Sequence, residues 1–255
     1  MTKSKIFRII LSIICLLCVI VSGIIIIRWA LENSKQAQIQ TDLQKYIETT
    51  VQSAESTEDP SKPTEFRPTY NVDIKNMEKE INDDIVGWLK IENTAIEYPV
   101  TQTDDNSYYL DHDLNKDYNS AGTIFMDKNS EPDELTENTV LFGHNRRDGS
   151  MFADLNTLLN KLSNNNYKKY KVTFITKTHY YEGFIFAAYS KYVNTDYIQT
   201  IFDDKQAFDD FKNNIKNNAS FYNEKAVSDN ILTLSTCSPQ LNYRTAVHIG
   251  LQKLY

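Results

Sequence analysis

One thiol in this 255-residue sequence lies where a strand is predicted to end. Residues 231–236 have the composition of a β-strand, and Cys237 follows them directly, just before a Ser-Pro pair that interrupts the pattern. The only other cysteines, Cys15 and Cys18, lie in an apolar N-terminal run and are interpreted as lipid-facing, so Cys237 has no disulfide partner. A lone thiol at a strand end is either a reactive group or a buried one, and the residues alone leave both open.

A thiol needs a base to become the thiolate that attacks, and imidazole is the usual one. Four histidines compete for this role. His144 ranks first because an apolar strand runs into a polar, glycine-bounded loop over Leu141–Gly149. His248 ranks second, since it alternates with small residues on the terminal strand and either lines the site or packs. His112, between two aspartates, and His179, at the start of a strand, are expected to have surface roles.

Attack on a carbonyl also builds negative charge on its oxygen, which requires a fixed hydrogen-bond donor. Arg244 follows Cys237 by seven residues and begins the next predicted strand. A hairpin between the two strands would return its guanidinium to the thiol. The alternative is a surface arginine in an ion pair, which is the commoner situation for a single arginine.

The elements that must position these residues are predicted to be mainly strands. We expect a mainly β fold, a closed β-barrel of about eight strands, with an N-terminal helical segment around Ile74 and Met77 and one inserted helix near residues 203–217. The predicted strands are Trp88–Ile91, Ala95–Val100, Thr123–Met126, Thr139–Phe142, Lys171–Thr176, Tyr180–Ser190, Ile231–Thr236 and Arg244–Leu251.

The first thirty residues predict an uncleaved signal anchor, a transmembrane helix over 1–30. Nineteen consecutive residues from Ile9 to Ile27 carry no charge, and as a helix they span about 28 Å, roughly one bilayer core. Three basic residues precede this run and only Arg28 follows it closely. The predicted orientation therefore leaves the N-terminus in the cytoplasm and exports the rest of the chain.

Two further segments follow the anchor. Residues 31–71 are predicted as a stalk and linker, with a weak amphipathic helix over 31–52 and a Pro-rich spacer from Ser53 to Tyr70. Residues 72–255 are long enough for one domain with its own core.

Charge argues against nucleic acid as a partner. The whole chain has a net charge of −7, and because residues 1–30 contribute +4, the remainder carries −11. A body this acidic repels phosphate backbones. With only seven glycines in the chain and no Gly-rich phosphate loop, we expect no organic cofactor, and because the Asp and Glu residues are scattered over loops, we expect no metal.

An ordered set of motifs resembles the sortases, the cysteine transpeptidases of Gram-positive cell surfaces. The strand ending in Cys237, followed by Arg244, is similar to the active-site strand pair of that family. The resemblance is to class B in particular and covers essentially residues 72–255. The motifs that carry it, in chain order, are Asn82–Ile91, Ile96–Gln102, Asp105–Leu110, Gly122–Asp127, Phe142–Asn145, Met151–Phe152 and Thr233–Cys237.

The resemblance implies a role for each candidate residue: Cys237 as nucleophile, His144 as general acid and base, and Arg244 as substrate and oxyanion stabiliser. The implied substrate is the C-terminal sorting signal of an exported protein, cleaved after a threonine through a thioester on the cysteine. The implied acceptor is an amine of a peptidoglycan precursor, with the catalytic domain held at the outer side of the cytoplasmic membrane.

Two other interpretations stay open at this point. One is an extracytoplasmic cysteine peptidase or amidase that acts by hydrolysis. The other is a non-catalytic surface adhesin or assembly module in which Cys237 merely packs.

Overall fold

The computed structural model describes residues 3–49, 68, 70–192, 196–237, 240 and 242–254. The chain divides into two compact units, Met1–Asp42 and Leu43–Tyr255. Most of the predicted Pro-rich spacer, residues 53–67 and 69, lies outside the described residues.

The first unit is formed by one long helix, α1 (Lys3–Leu43). The helical stretch Phe7–Tyr46 is long and apolar enough to cross a membrane, with a mean hydropathy of 3.3 over its most apolar 18 residues. The described side chains of the apolar run are almost all exposed, as expected for a surface whose solvent is lipid.

The predicted amphipathic helix over 31–52 extends only to Leu43. A 3-10 turn over Gln44–Tyr46 and a short strand, β1 (Ile47–Thr49), follow it. The strand forms because β1 pairs antiparallel with β2 (Tyr70–Val72), which satisfies its backbone groups outside a helix.

The second unit is a closed β-barrel, as predicted. Eight strands form a ring in the order β11-β10-β6-β5-β4-β3-β7-β8, and the pairing of β8 with β11 closes it. A short ninth strand, β9 (Phe221–Tyr222), pairs only with β8. The ring strands are β3 (Ile85–Ile91), β4 (Glu97–Thr101), β5 (Phe125–Met126), β6 (Asn138–Phe142), β7 (Lys171–Thr176), β8 (Tyr180–Tyr192), β10 (Asn230–Cys237) and β11 (Tyr243–Lys253).

Alternation along the strands fills the barrel with apolar side chains. The fully buried interior includes Leu89, Val100, Leu141, Leu234 and Val247, each from a different strand. A second cluster lies on the outer face of β8, β10 and β11, where α4 (Lys205–Asn218) buries Phe208, Phe211 and Ile215.

Two helices were predicted in this unit and both are present. The N-terminal one is α2 (Ile74–Glu80), and the inserted one is α4, whose N-cap Asp204 accepts a hydrogen bond from the Ala207 amide at 2.8 Å. A further helix, α3 (Ala153–Lys161), was not predicted. It places Leu155 and Leu158 in the barrel core, but its short sequence offers few apolar positions to reveal it.

Candidate active site

Strand register brings the three predicted residues to one end of three neighbouring strands. β6 and β10 are parallel with Phe142 opposite Ser235, so His144, two residues after Phe142, leaves its strand beside Cys237. β10 and β11 are antiparallel with Cys237 opposite Arg244. Neighbouring strands lie about 4.8 Å apart. The sequence positions of imidazole, thiol and guanidinium are therefore side by side across the sheet.

The row of β10 side chains that ends in Cys237 lies on the outer face of the barrel. Ile231 belongs to the cluster under α4, and the Ser235 hydroxyl lies 3.0 Å from the Tyr197 hydroxyl. Because side chains alternate along a strand, Ile231, Thr233, Ser235 and Cys237 share this face. Tyr197 contacts this face at Ser235, which is buried. Cys237, the next residue of the row, is exposed.

The ring of His144 is oriented by a backbone carbonyl. Its Nε2 lies 2.6 Å from the Leu110 carbonyl oxygen. A carbonyl only accepts, so Nε2 carries the hydrogen, and Nδ1 of the neutral ring is the nitrogen that can accept a proton. Gly122 makes room for this contact: with φ of +63°, a Cβ there would lie 2.8 Å from the Leu110 oxygen and 3.1 Å from the imidazole Cδ2.

The loop that follows His144 is held by Asp148. The Phe152 amide donates to the His144 carbonyl at 2.9 Å, which closes the loop on itself. Within it, the Asp148 carboxylate accepts hydrogen bonds from the Arg146 guanidinium at 2.9 Å and from the Ser150 hydroxyl at 2.6 Å. Partial burial by itself raises the pKa of this carboxyl, but the bonds from Arg146 and Ser150 outweigh it and lower the pKa to about 2.

Arg244 is half-buried, and its guanidinium donates to the Tyr243 carbonyl at 3.2 Å. Tyr197, whose hydroxyl contacts Ser235, lies within electrostatic range of both Arg244 and Cys237. Burial raises the pKa of the Tyr197 phenol, while the positive charge of Arg244 acts to lower it. A peptide carbonyl placed at Cys237 would meet a cationic donor on one side and an imidazole on the other.

His248 does not join this group. It lies four residues beyond Arg244 on β11, roughly 13 Å along the strand. Its ring is fully buried, with Nδ1 2.8 Å from the Thr233 hydroxyl and Nε2 3.1 Å from the Tyr189 hydroxyl. Burial lowers its pKa to about 3. Of the two roles that the sequence left open for His248, packing is the one it has.

The other two histidines have local partners. The His112 ring stacks on Tyr108 at 4.1 Å between centroids, and its Nδ1 lies 2.8 Å from an Asp111 carboxylate oxygen. The ring is therefore partly exposed and has local partners, in keeping with the predicted surface role. His179 Nδ1 lies 2.8 Å from the Asp133 carbonyl, in keeping with an ordinary surface role.

Four residues of the site were given no role by the sequence: Leu110, Gly122, Tyr197 and Asn156. Leu110 contributes only its backbone carbonyl, so the type of residue at this position gives no sign of the contact. Asn156 lies on the unpredicted helix α3 and donates from Nδ2 to the Cys237 carbonyl at 3.3 Å. The one available signal was Gly122, because glycine is the residue that most readily takes a positive φ. Within the described ranges, no group of three or more His, Cys, Asp or Glu side chains could hold a metal ion.

Comparison with known proteins identifies the family in both sequence and structure. The family model described as "Sortase domain" matches residues 89–249. Sortase B of Listeria monocytogenes is 37% identical over 175 residues, which cover 67% of this chain and 69% of that protein. Sortase B of Staphylococcus aureus is 30% identical over 238 residues, 92% of this chain and 91% of that protein. The solved structure of a Staphylococcus aureus sortase B–substrate complex aligns with a TM-score of 0.64 and 32% identity, over 71% of this chain and 85% of that one.

Proposed function

The chain belongs to the sortase family of cysteine transpeptidases, in its class B branch, and on that premise we propose that it attaches exported proteins to the cell wall. It cleaves a C-terminal sorting signal through a thioester on Cys237 and transfers the acyl group to a peptidoglycan precursor amine. The observation that carries the assignment of residues is the register that sets Cys237 opposite Arg244 and beside the strand leading to His144.

The first half-reaction forms the thioester. The Cys237 proton passes to Nδ1 of His144, and Sγ attacks the carbonyl carbon of the sorting-signal threonine, forming an S–C bond. The carbonyl oxygen becomes an oxyanion that Arg244 stabilises with its guanidinium donors. When the intermediate collapses, the C–N bond breaks and the departing amine takes the proton from His144.

The second half-reaction releases the product. The acceptor amine attacks the thioester carbonyl, His144 removes a proton from the amine, and the C–S bond breaks as the new amide forms. The Cys237 sulfur regains a proton from His144, so the enzyme returns to its starting state. Water in place of the amine gives hydrolysis.

The location proposed for this reaction is the outer face of the cytoplasmic membrane. α1 supplies the anchor by its length and composition. The clustered basic residues before its apolar run favour a cytoplasmic N-terminus. The catalytic unit then meets sorting signals and lipid-linked wall precursors on the side where both arrive.

A peptide-library assay tests the proposal. Full-length protein in detergent micelles is mixed with peptides that vary around a threonine, with and without triglycine, and the products are read by mass spectrometry. We expect cleavage after threonine and a product joined to triglycine. Free acid as the main product despite excess triglycine would favour the hydrolase. An intact library would favour the non-catalytic module.

A further inference from the structure

A side chain on α3 reaches the main chain of the proposed nucleophile. Asn156 donates from Nδ2 to the Cys237 carbonyl at 3.3 Å, and its Oδ1 accepts a hydrogen bond from the Thr245 hydroxyl at 2.6 Å. Thr245 is fully buried and follows Arg244 on β11. One amide therefore ties together the ends of the two strands that carry Cys237 and Arg244.

The bond from Asn156 to the Cys237 carbonyl takes the place of a backbone hydrogen bond that β6 would otherwise donate to β10. The last ladder bond from the β6 side runs from the Gly143 amide to the Ser235 carbonyl at 3.2 Å. In a parallel pair the next donor would be the Asn145 amide, aimed at the Cys237 carbonyl. The chain instead turns away after Phe142, and Asn145 pairs with Met151. The Cys237 carbonyl accepts from the Asn156 side chain at this position.

The Asn156 side chain approaches Cys237 from the face of the sheet opposite the thiol. Thr245 and Arg244 are adjacent on a strand, so their side chains point to opposite faces of the sheet. Arg244 is opposite Cys237 and shares its face, while Thr245 and the bound Asn156 amide lie on the inner face. Asn156 thus binds the Cys237 carbonyl from the inner face and does not occupy the outer face, on which a peptide reaches the sulfur.

We propose that Asn156 is a positioning residue for the transpeptidation: by replacing β6 as the donor to the Cys237 carbonyl, it holds the nucleophile in register with Arg244. A peptide group is planar, so a fixed carbonyl fixes the whole group that follows Cys237. Loss of this bond leaves the strand end held on the β11 side alone. The inference rests on the function proposed above.

Two variants and a matched control test it in the full-length protein in detergent. Asn156→Ala removes both hydrogen bonds. Asn156→Asp has nearly the same shape and still accepts from Thr245, but its carboxylate cannot donate to a carbonyl. The control is Asn160→Ala, because Asn160 is an exposed asparagine one turn further along α3. Turnover uses the best library peptide with triglycine, and Cys237 alkylation by iodoacetamide is timed without substrate.

We expect both Asn156 variants to lose about three- to tenfold in kcat, the range of one hydrogen bond, with KM within about twofold. Alkylation of Cys237 should slow in both, the melting temperature should fall by no more than a few degrees because only one or two hydrogen bonds are lost, and Asn160→Ala should match the wild type.

Wild-type kcat in Asn156→Ala, or a loss in Asn156→Ala that Asn156→Asp does not share, would overturn the inference while leaving the proposed function intact. A Cys237→Ala protein that still turns over would overturn the proposed function itself.

Discussion

The Leu110 carbonyl determines which nitrogen of His144 can accept a proton, the role proposed for this ring. By accepting from Nε2 at 2.6 Å, it performs the orienting task that a carboxylate performs in many nucleophile–base pairs. The carbonyl is itself held in place by the close packing of Gly122 against residues 109 and 110. In the proposed mechanism, chemistry at Cys237 therefore depends on the conformation of Gly122.

Gly122→Ala tests this dependence, with Gly149→Ala as the matched control. Both glycines have positive φ, +63° and +84°, so both substitutions strain the backbone by about 1 kcal/mol. Only at Gly122 does the added Cβ meet the Leu110 carbonyl and the His144 ring, since nothing lies within 4 Å at Gly149. We expect kcat to fall at least tenfold in Gly122→Ala and to stay near wild type in Gly149→Ala. Equal activities at matched folded fractions would contradict this role for Gly122.

Arg244→Lys separates a planar donor fork from a point charge. If the guanidinium stabilises the oxyanion, lysine retains the charge but not the geometry, and kcat/KM should fall on the order of a hundredfold. Arg147→Lys, at an exposed position in the loop after His144, is the control and should be near normal. Steady-state kinetics with a cleavable library peptide provide the measurement, and near-normal kinetics in Arg244→Lys would assign Arg244 a surface role.

At the scale of elements, the eight ring strands were predictable and one helix was not. Strands such as β10 can be recognised in the sequence as a run of aliphatic and hydroxyl side chains, followed here by a Ser-Pro pair that interrupts the pattern. Register is different: Cys237 opposite Arg244 follows from a hairpin, but Phe142 opposite Ser235 joins strands nearly a hundred residues apart, which no local pattern encodes. Residue types thus suggest the three candidate groups, whereas the contacts of Asn156 and of the Leu110 carbonyl required the fold.

A series of buried hydrogen bonds links the apolar cluster under α4 to strand β6 of the barrel. The Tyr189 hydroxyl lies beside Nε2 of His248, whose Nδ1 contacts the Thr233 hydroxyl, and that hydroxyl donates to Asn138 at 2.6 Å. Because the Thr233 hydrogen is used on Asn138, the neutral His248 ring donates from Nδ1 and accepts at Nε2, and burial favours this neutral form. This arrangement explains how a histidine is accommodated in an otherwise apolar cluster with Phe186 and Phe211 nearby.

His248 makes stability depend on pH. The pKa of His248 is lowered from 6.5 to about 3 in the folded protein. Between these two values the unfolded state binds a proton and the folded state does not. Stability is therefore full above pH 6.5 and is lost as the pH falls toward 3, by up to about 1.4 kcal/mol per pH unit. Thermal unfolding between pH 7 and 4 should show a flatter pH dependence in His248→Gln than in the wild type. The same flattening in His179→Gln, which alters a histidine with a surface contact, would count against this assignment.

On the scale of the whole molecule, charge and hydropathy distinguish the N-terminal apolar helix from the catalytic unit. The first thirty residues carry +4 and the remainder −11, and all the described strands lie beyond the apolar helix. The acidic remainder carries a charge that anionic headgroups of a membrane would repel. In the location proposed above, the apolar helix keeps the enzyme at the place where its substrates emerge.

The orientation can be tested in intact cells. With an epitope tag at the N-terminus, protease added outside should digest the catalytic unit and leave the tag protected, because the basic residues before the apolar run retain that end in the cytoplasm. Permeabilised cells, in which both parts should be digested, provide the control. A tag lost from intact cells would reverse the proposed orientation.

The central claim is that Cys237 becomes the acyl carrier, and trapping the intermediate tests it most directly. Full-length protein is mixed with a cleavable library peptide without amine, quenched in acid and analysed by intact-mass and peptide-mapping mass spectrometry. We predict an added mass equal to that of the peptide fragment that ends in threonine minus one water, as a thioester requires, located on Cys237 and discharged by triglycine. The account is contradicted if the adduct maps to another residue or if Cys237→Ala forms the ligated product.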